Sequence, residues 1–239
     1  MTRRALVICL AATLLAAPAV ADARGKVGVM VVGRSAVLVP AQQVAMKART
    51  VPVDGRRCAV GRATPLSVLA GTRAAFSLTD YGACSRRKRD AGSLYVSRIG
   101  PDRERGRDGW VYKVGRRVGT AGGADPSGSF GTGRLLRAGQ RVLWFWCVKD
   151  PRDACQRTLE TASAGTVAPG AALRVTVRGY DEQGAGVPVA GATVRLGGAA
   201  AVTTAGGVAT LTAPAAGRHR LEASKPGTVL AFPRTVEVG

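Results

Sequence analysis

Beyond residue 24 the apolar positions come in short runs and alternations with the two-residue period of strands. Residues 27–33 and 36–40 read as two strands separated by a turn at Gly33-Arg34, and 49–55 as a third extended piece. Residues 63–71 break this pattern. Thr64 suits an N-cap, Pro65 the first helical position, Leu66 and Leu69 share a face, and Gly71 ends the turn, which predicts the one helix of the chain past residue 24. Residues 76–78 and 94–99 read as strands around a basic loop. In 109–115, Trp110, Tyr112 and Val114 fall on one face. In 139–147, Val142, Trp144 and Trp146 point one way and Leu143, Phe145 and Cys147 the other, so this strand is apolar on both faces and must be covered on both. The helix is the expected cover for one face, and the pattern does not say what covers the other. Farther on, Leu173, Val175 and Val177 alternate with polar residues. Strand-like stretches follow at 187–196, 207–212 and 218–223, with turn signals every eight to twelve residues, as in a small antiparallel sandwich.

The first 23 residues follow a different grammar. Arg3-Arg4 precede an almost wholly apolar stretch at 5–17, Pro18 breaks it, and small residues around Ala19-Val20-Ala21 and Ala21-Asp22-Ala23 suit cleavage. This predicts a secretory signal peptide over residues 1–23 and a secreted or cell-surface location, with no membrane span left after cleavage. Cys9 leaves with that peptide. Cys58, Cys84, Cys147 and Cys155 remain, an even number in an oxidising compartment, and read as two disulfides. Of the three possible connectivities, Cys58–Cys84 and Cys147–Cys155 are favoured because each closes a local loop bounded by turn-forming residues. No C-x-x-C pair points to zinc.

Charge divides the chain. The 239 residues carry 35 Lys and Arg against 15 Asp and Glu, a net of +20. Residues 24–157 hold 26 basic and 9 acidic side chains, whereas residues 158–239 hold 7 and 5. With the small residues and Pro-Gly ending of the segment after Glu160, this suggests a first domain over 24–160, a linker over 161–170 and a second domain over 171–239.

Two stretches carry a resemblance. Gly109-Trp-Val-Tyr-Lys-Val-Gly115, followed by Gly139-Gln-Arg-Val-Leu-Trp-Phe-Trp146, with the helix start at Thr64-Pro65-Leu66 upstream, resembles the transcobalamin-like C-terminal domain. That family has a β-grasp fold related to soluble-ligand-binding β-grasp domains. Where the family turn commonly has Asn-Gly, this chain has Val114-Gly115. The later stretch Gly186-Val-Pro-Val-Ala-Gly-Ala-Thr-Val-Arg-Leu196 is similar to carboxypeptidase-regulatory-like and bacterial Ig-like modules, which act as spacers or protein-contact domains. The fold class these resemblances imply is mainly β with one helix in the first domain: a β-grasp domain followed by a small antiparallel β-sandwich. In transcobalamin-type proteins the ligand is held largely by a separate helical domain. This chain has none, so the resemblance implies a small ligand or partner protein without singling out cobalamin.

Chemistry is sparse. His219 is the single histidine and lies in a strand among arginines, the cysteines are committed to disulfides, and the carboxylates Asp102, Glu104, Asp108 and Asp125 fall in turns. No catalytic residue, metal site or cofactor is assigned. The glycine-rich stretch 119–134 lacks the order of a phosphate-binding P-loop. Trp110, Tyr112, Trp144 and Trp146 share a sheet face and are the candidate ligand-binding residues, because rings can stack on a sugar, a flat molecule or an apolar side chain; the alternative is that they fill the core beneath the helix or pack against the long loops. Arg86, Arg87, Lys88 and Arg89, with Arg103, Arg105 and Arg107, are candidate contacts for an anionic polymer. Export removes nucleic acid as a partner. The expected role is non-enzymatic binding of a small ligand or partner protein outside the cytoplasm; the alternative is an adhesive or structural envelope module held to anionic wall polymers. The sequence leaves the oligomeric state open.

Overall fold

The structure, a computed structural model, describes residues 25–80, Cys84 and 94–239. The expected signal peptide and the Arg86–Arg89 run lie outside the described residues. Among these residues the architecture is mainly β with one short helix. The first half contains β1 (Lys26–Val32), β2 (Val37–Ala45), β3 (Arg49–Val53), β4 (Arg56–Val60), α1 (Pro65–Leu69), β5 (Phe76–Asp80), β6 (Leu94–Ile99), β7 (Asp102–Arg103), β8 (Gly109–Val114), β9 (Arg117–Val118) and β10 (Arg141–Cys147).

Its main sheet has the order β2-β1-β10-β8-β9. The central pair β1–β10 is parallel and the flanking pairs are antiparallel. The β8–β9 hairpin turns through Gly115-Arg116, with Gly115 at φ +60°, a first-position glycine of the kind two-residue hairpin turns use. Two smaller sheets, β3-β4 and β5-β6-β7, complete this half.

α1 starts as its sequence dictates. Ser67 N–H donates to Thr64 Oγ1 at 3.2 Å, and Thr64 N–H donates back to Ser67 Oγ at 3.1 Å, with Pro65 in the first turn. All five helical residues are buried against one face of the main sheet. A helix this short draws its stability from that packing rather than from propensity.

The second half contains β11 (Thr158–Ala162), β12 (Thr166–Val167), β13 (Ala172–Tyr180), β14 (Gly186–Pro188), β15 (Thr193–Leu196), β16 (Ala199–Val202), β17 (Val208–Thr212), β18 (Gly217–Ser224) and β19 (Arg234–Val238). One sheet is β11-β13-β14 with β17 also on β13; the other is β12-β19-β18-β15-β16. Their inner faces share one aliphatic core that includes Val175, Val194, Leu196, Leu211 and Leu221. Residues 158–167, which the charge pattern divides between first domain and linker, contribute a strand to each of these sheets.

The uncovered face of β10 has its cover here. Leu143, Phe145 and Cys147 join Met30 and Val32 of β1 in a core closed by Val229, with Phe232 packed against it. The segment 229–232 from the second half is therefore the missing layer. Cys58 is bonded to Cys84 and Cys147 to Cys155, with Cα separations of 5.5 and 5.2 Å.

Candidate functional site

The four aromatic residues meet because β8 and β10 are adjacent and in register. Tyr112 stands opposite Trp144, and Trp110 opposite Trp146. Period-two alternation places all four on the same face. Trp110 and Trp146 meet edge to face with centroids 5.7 Å apart, and Tyr112 and Trp144 are tilted at 5.1 Å. All four are buried, at 2–6% exposure, in the core beneath α1. Trp110 Nε1 donates to the Asp102 carbonyl at 2.9 Å and Trp144 Nε1 to the Pro65 carbonyl at 3.2 Å, whereas Trp146 Nε1 has no partner among the described residues. The Arg34 guanidinium lies 5.8 Å from the Trp146 ring centroid.

Three of these rings reach a groove. A cavity of about 280 Å³ is bordered by Trp110, Tyr112 and Trp144 from the main sheet, by Leu94, Tyr95 and Val96 of β6, and by the segment Gly119–Gly123. Lys149 and Glu182 stand at its rim, 3.4 Å apart. Trp146 does not line it.

The glycine-rich segment forms the opposite wall because it is tied down at both ends. A Cβ at Gly119 would overlap the Tyr112 ring, so only glycine lets the chain pass there. The Tyr112 hydroxyl donates to the Ala121 carbonyl at 2.6 Å, with the Ser129 carbonyl oxygen at 3.2 Å. Leu66 N–H donates to the Gly123 carbonyl at 2.6 Å, joining the segment to the start of α1. Burial, then the nearby Asp125 carboxylate, pushes the Tyr112 phenol well above its ordinary value.

On its other side the same segment encloses a larger cavity of about 620 Å³, bordered by residues from Val114 to Gln140. Here Gly128, at φ +86°, pairs with Arg134, and a Cβ at Gly128 would overlap the Arg134 carbonyl oxygen.

Arg103, Arg105 and Arg107 lie exposed on one hairpin. Arg107 is already engaged, donating to the Asp150 carbonyl at 2.8 Å with Asp153 at 3.8 Å. His219 contacts the Ala215 carbonyl at 2.7 Å on an exposed strand. Among the described residues no three of His, Cys, Asp and Glu converge as metal ligands, and no helix is long and apolar enough to cross a membrane.

Lys113 was hidden from sequence reasoning. It projects from β8 opposite the aromatic face and is buried to 1% exposure where the two halves meet. Its ammonium donates to Thr158 Oγ1 at 2.9 Å and to the carbonyls of Tyr180 at 2.9 Å and Asp181 at 2.7 Å. Burial lowers its pKa to about 8, against the opposing pull of Asp181 and Glu182. Nearby, Glu182 accepts from Cys155 N–H at 2.9 Å, and Arg116 pairs with Glu160 at 2.9 Å while lying 4.4 Å from the Tyr180 ring centroid.

Comparison with protein-family models, with curated proteins and with solved structures finds no match to the chain.

Proposed function

We propose that the chain is an exported, non-enzymatic binding protein whose first half takes a small ligand in the groove edged by Trp110, Tyr112 and Trp144. The observation that carries this reading is the meeting of three ring edges with a backbone wall at one open cavity of about 280 Å³. A space of that size, at the lower end of small-molecule sites, suits a single ring system. The rings are held by their own packing and by hydrogen bonds to Asp102, Pro65 and Ala121, so binding would not have to order them. Two disulfides support an oxidising compartment and hence export. The β2-β1-β10-β8-β9 order with a parallel central pair supports reading the first half as a β-grasp of transcobalamin-like type. The facing sheets of the second half support an Ig-like spacer or contact module.

The test is tryptophan fluorescence titrated with a panel of uncharged mono- and bicyclic compounds and monosaccharides in about 0.5 M NaCl, where long-range charge is screened. At least one compound should give a saturable change that Ala121→Phe, which adds bulk to the groove wall, abolishes. Titrations that are the same in wild type and Ala121→Phe would overturn the reading.

A further inference from the structure

The larger cavity, on the far side of the glycine-rich segment from the aromatic groove, has a different chemistry. Arg117, Arg134 and Arg137 border it, together with Thr120, Ser129 and Thr132, and no carboxylate does. None of the three arginines forms an ion pair among the described residues, although other exposed arginines of this chain do find Asp or Glu. Arg117 is steadied by the Phe130 ring, 5.0 Å from its guanidinium carbon. Ser129 is 2% exposed, and its side chain interacts with the Tyr112 phenol, opposing the rise in that group's pKa. The remaining border is apolar: Val114, Phe130, Leu135 and Leu136.

We propose that this cavity is a second binding site, independent of the groove, for a phosphate ester with a ring or apolar body. Guanidinium groups pair with tetrahedral oxyanions through parallel N–H donors, and three uncompensated ones around a concavity focus a positive potential that an anion relieves. The apolar border accounts for the organic body, and about 620 Å³ exceeds what a bare phosphate needs. The cradle is built rather than incidental, since Gly128 brings the chain against Arg134 and Leu136 N–H is anchored to the Ala63 carbonyl at 2.9 Å.

Calorimetric titration of the full chain with phenyl phosphate, inorganic phosphate and phenol tests this. Phenyl phosphate should bind at least about tenfold more tightly than either fragment, because only it uses both parts of the cavity. Arg134→Gln/Arg137→Gln should weaken it by about tenfold or more, while Arg174→Gln/Arg195→Gln, an equal loss of charge on exposed strands of the second half, leaves it unchanged. Ala121→Phe should not alter it, which separates failure of this site from failure of the groove. Equal losses in the two double variants would reduce the effect to net charge and overturn the proposal, as would no binding of phenyl phosphate up to about 10 mM.

Discussion

The buried ammonium of Lys113 makes stability depend on pH in a window where few side chains titrate. Folding lowers its pKa from 10.5 to about 8, so between those values the unfolded chain binds the extra proton and stability rises with pH. The penalty is fully present below pH 8 and is relieved toward pH 10.5. At 1.36 kcal/mol per pH unit of separation, the whole effect is about 3 kcal/mol, and about 2 kcal/mol of it is recovered between pH 7 and 9.5. The geometry tolerates deprotonation. A neutral amine donates to the Tyr180 and Asp181 carbonyls and accepts from the Thr158 hydroxyl, so no partner is lost. Urea unfolding of wild type and Lys113→Met at pH 7, 8, 9 and 9.5 measures it, because the other titrating groups cancel in the difference. Wild type should gain about 2 kcal/mol relative to the variant across that range. A difference that is flat with pH, or that falls, would refute the assignment of a penalised buried charge.

Tyr112 has the opposite sign: its phenol holds its proton in the fold above the ordinary value of 10, so stability falls as pH rises beyond 10, and Tyr112→Phe should flatten that limb in alkaline unfolding curves. Phe145, 0% exposed between β1, β8 and the 229–232 segment, should cost about 3–5 kcal/mol on change to alanine and lower the unfolding midpoint of both halves together, read by fluorescence and circular dichroism. Removing the disulfides as double Ala variants should cost about 3.5 kcal/mol for Cys58–Cys84, with a sequence separation of 26, and about 2.5 kcal/mol for Cys147–Cys155, with 8, because the longer loop leaves the unfolded chain more freedom. The order of the two denaturation midpoints checks this.

Local chemistry made much of the fold legible. The Thr64–Ser67 capping pair with Pro65 fixes a helix start through neighbours alone, and β10 declares itself central because both its faces are apolar. The disulfide pairings follow short loops. β4 escaped because it opens on Arg56 and Arg57, and β11 because Thr158–Ala162 is too small and polar to stand out from a linker. The aromatic face was readable from the two-residue period. The two-residue period does not decide between core and ligand face, since the closure of that face depends on a glycine-rich segment folding back through hydrogen bonds to Tyr112 and Leu66. Lys113 and the Arg117–Arg134–Arg137 cavity were out of reach for the same reason. One is created by a carbonyl cluster 67 and 68 residues away, the other by a turn that sequence reads only as glycine-rich.

Phe145 has a wider consequence. A chain cut near residue 157 would present Met30, Leu143 and Phe145 to water as one oily patch, inviting self-association. The two halves are thus not beads on a string that can be traded freely between proteins. Any exchange must carry along a matching lid, and a protease that nicks the stretch between them should leave the pieces clasped.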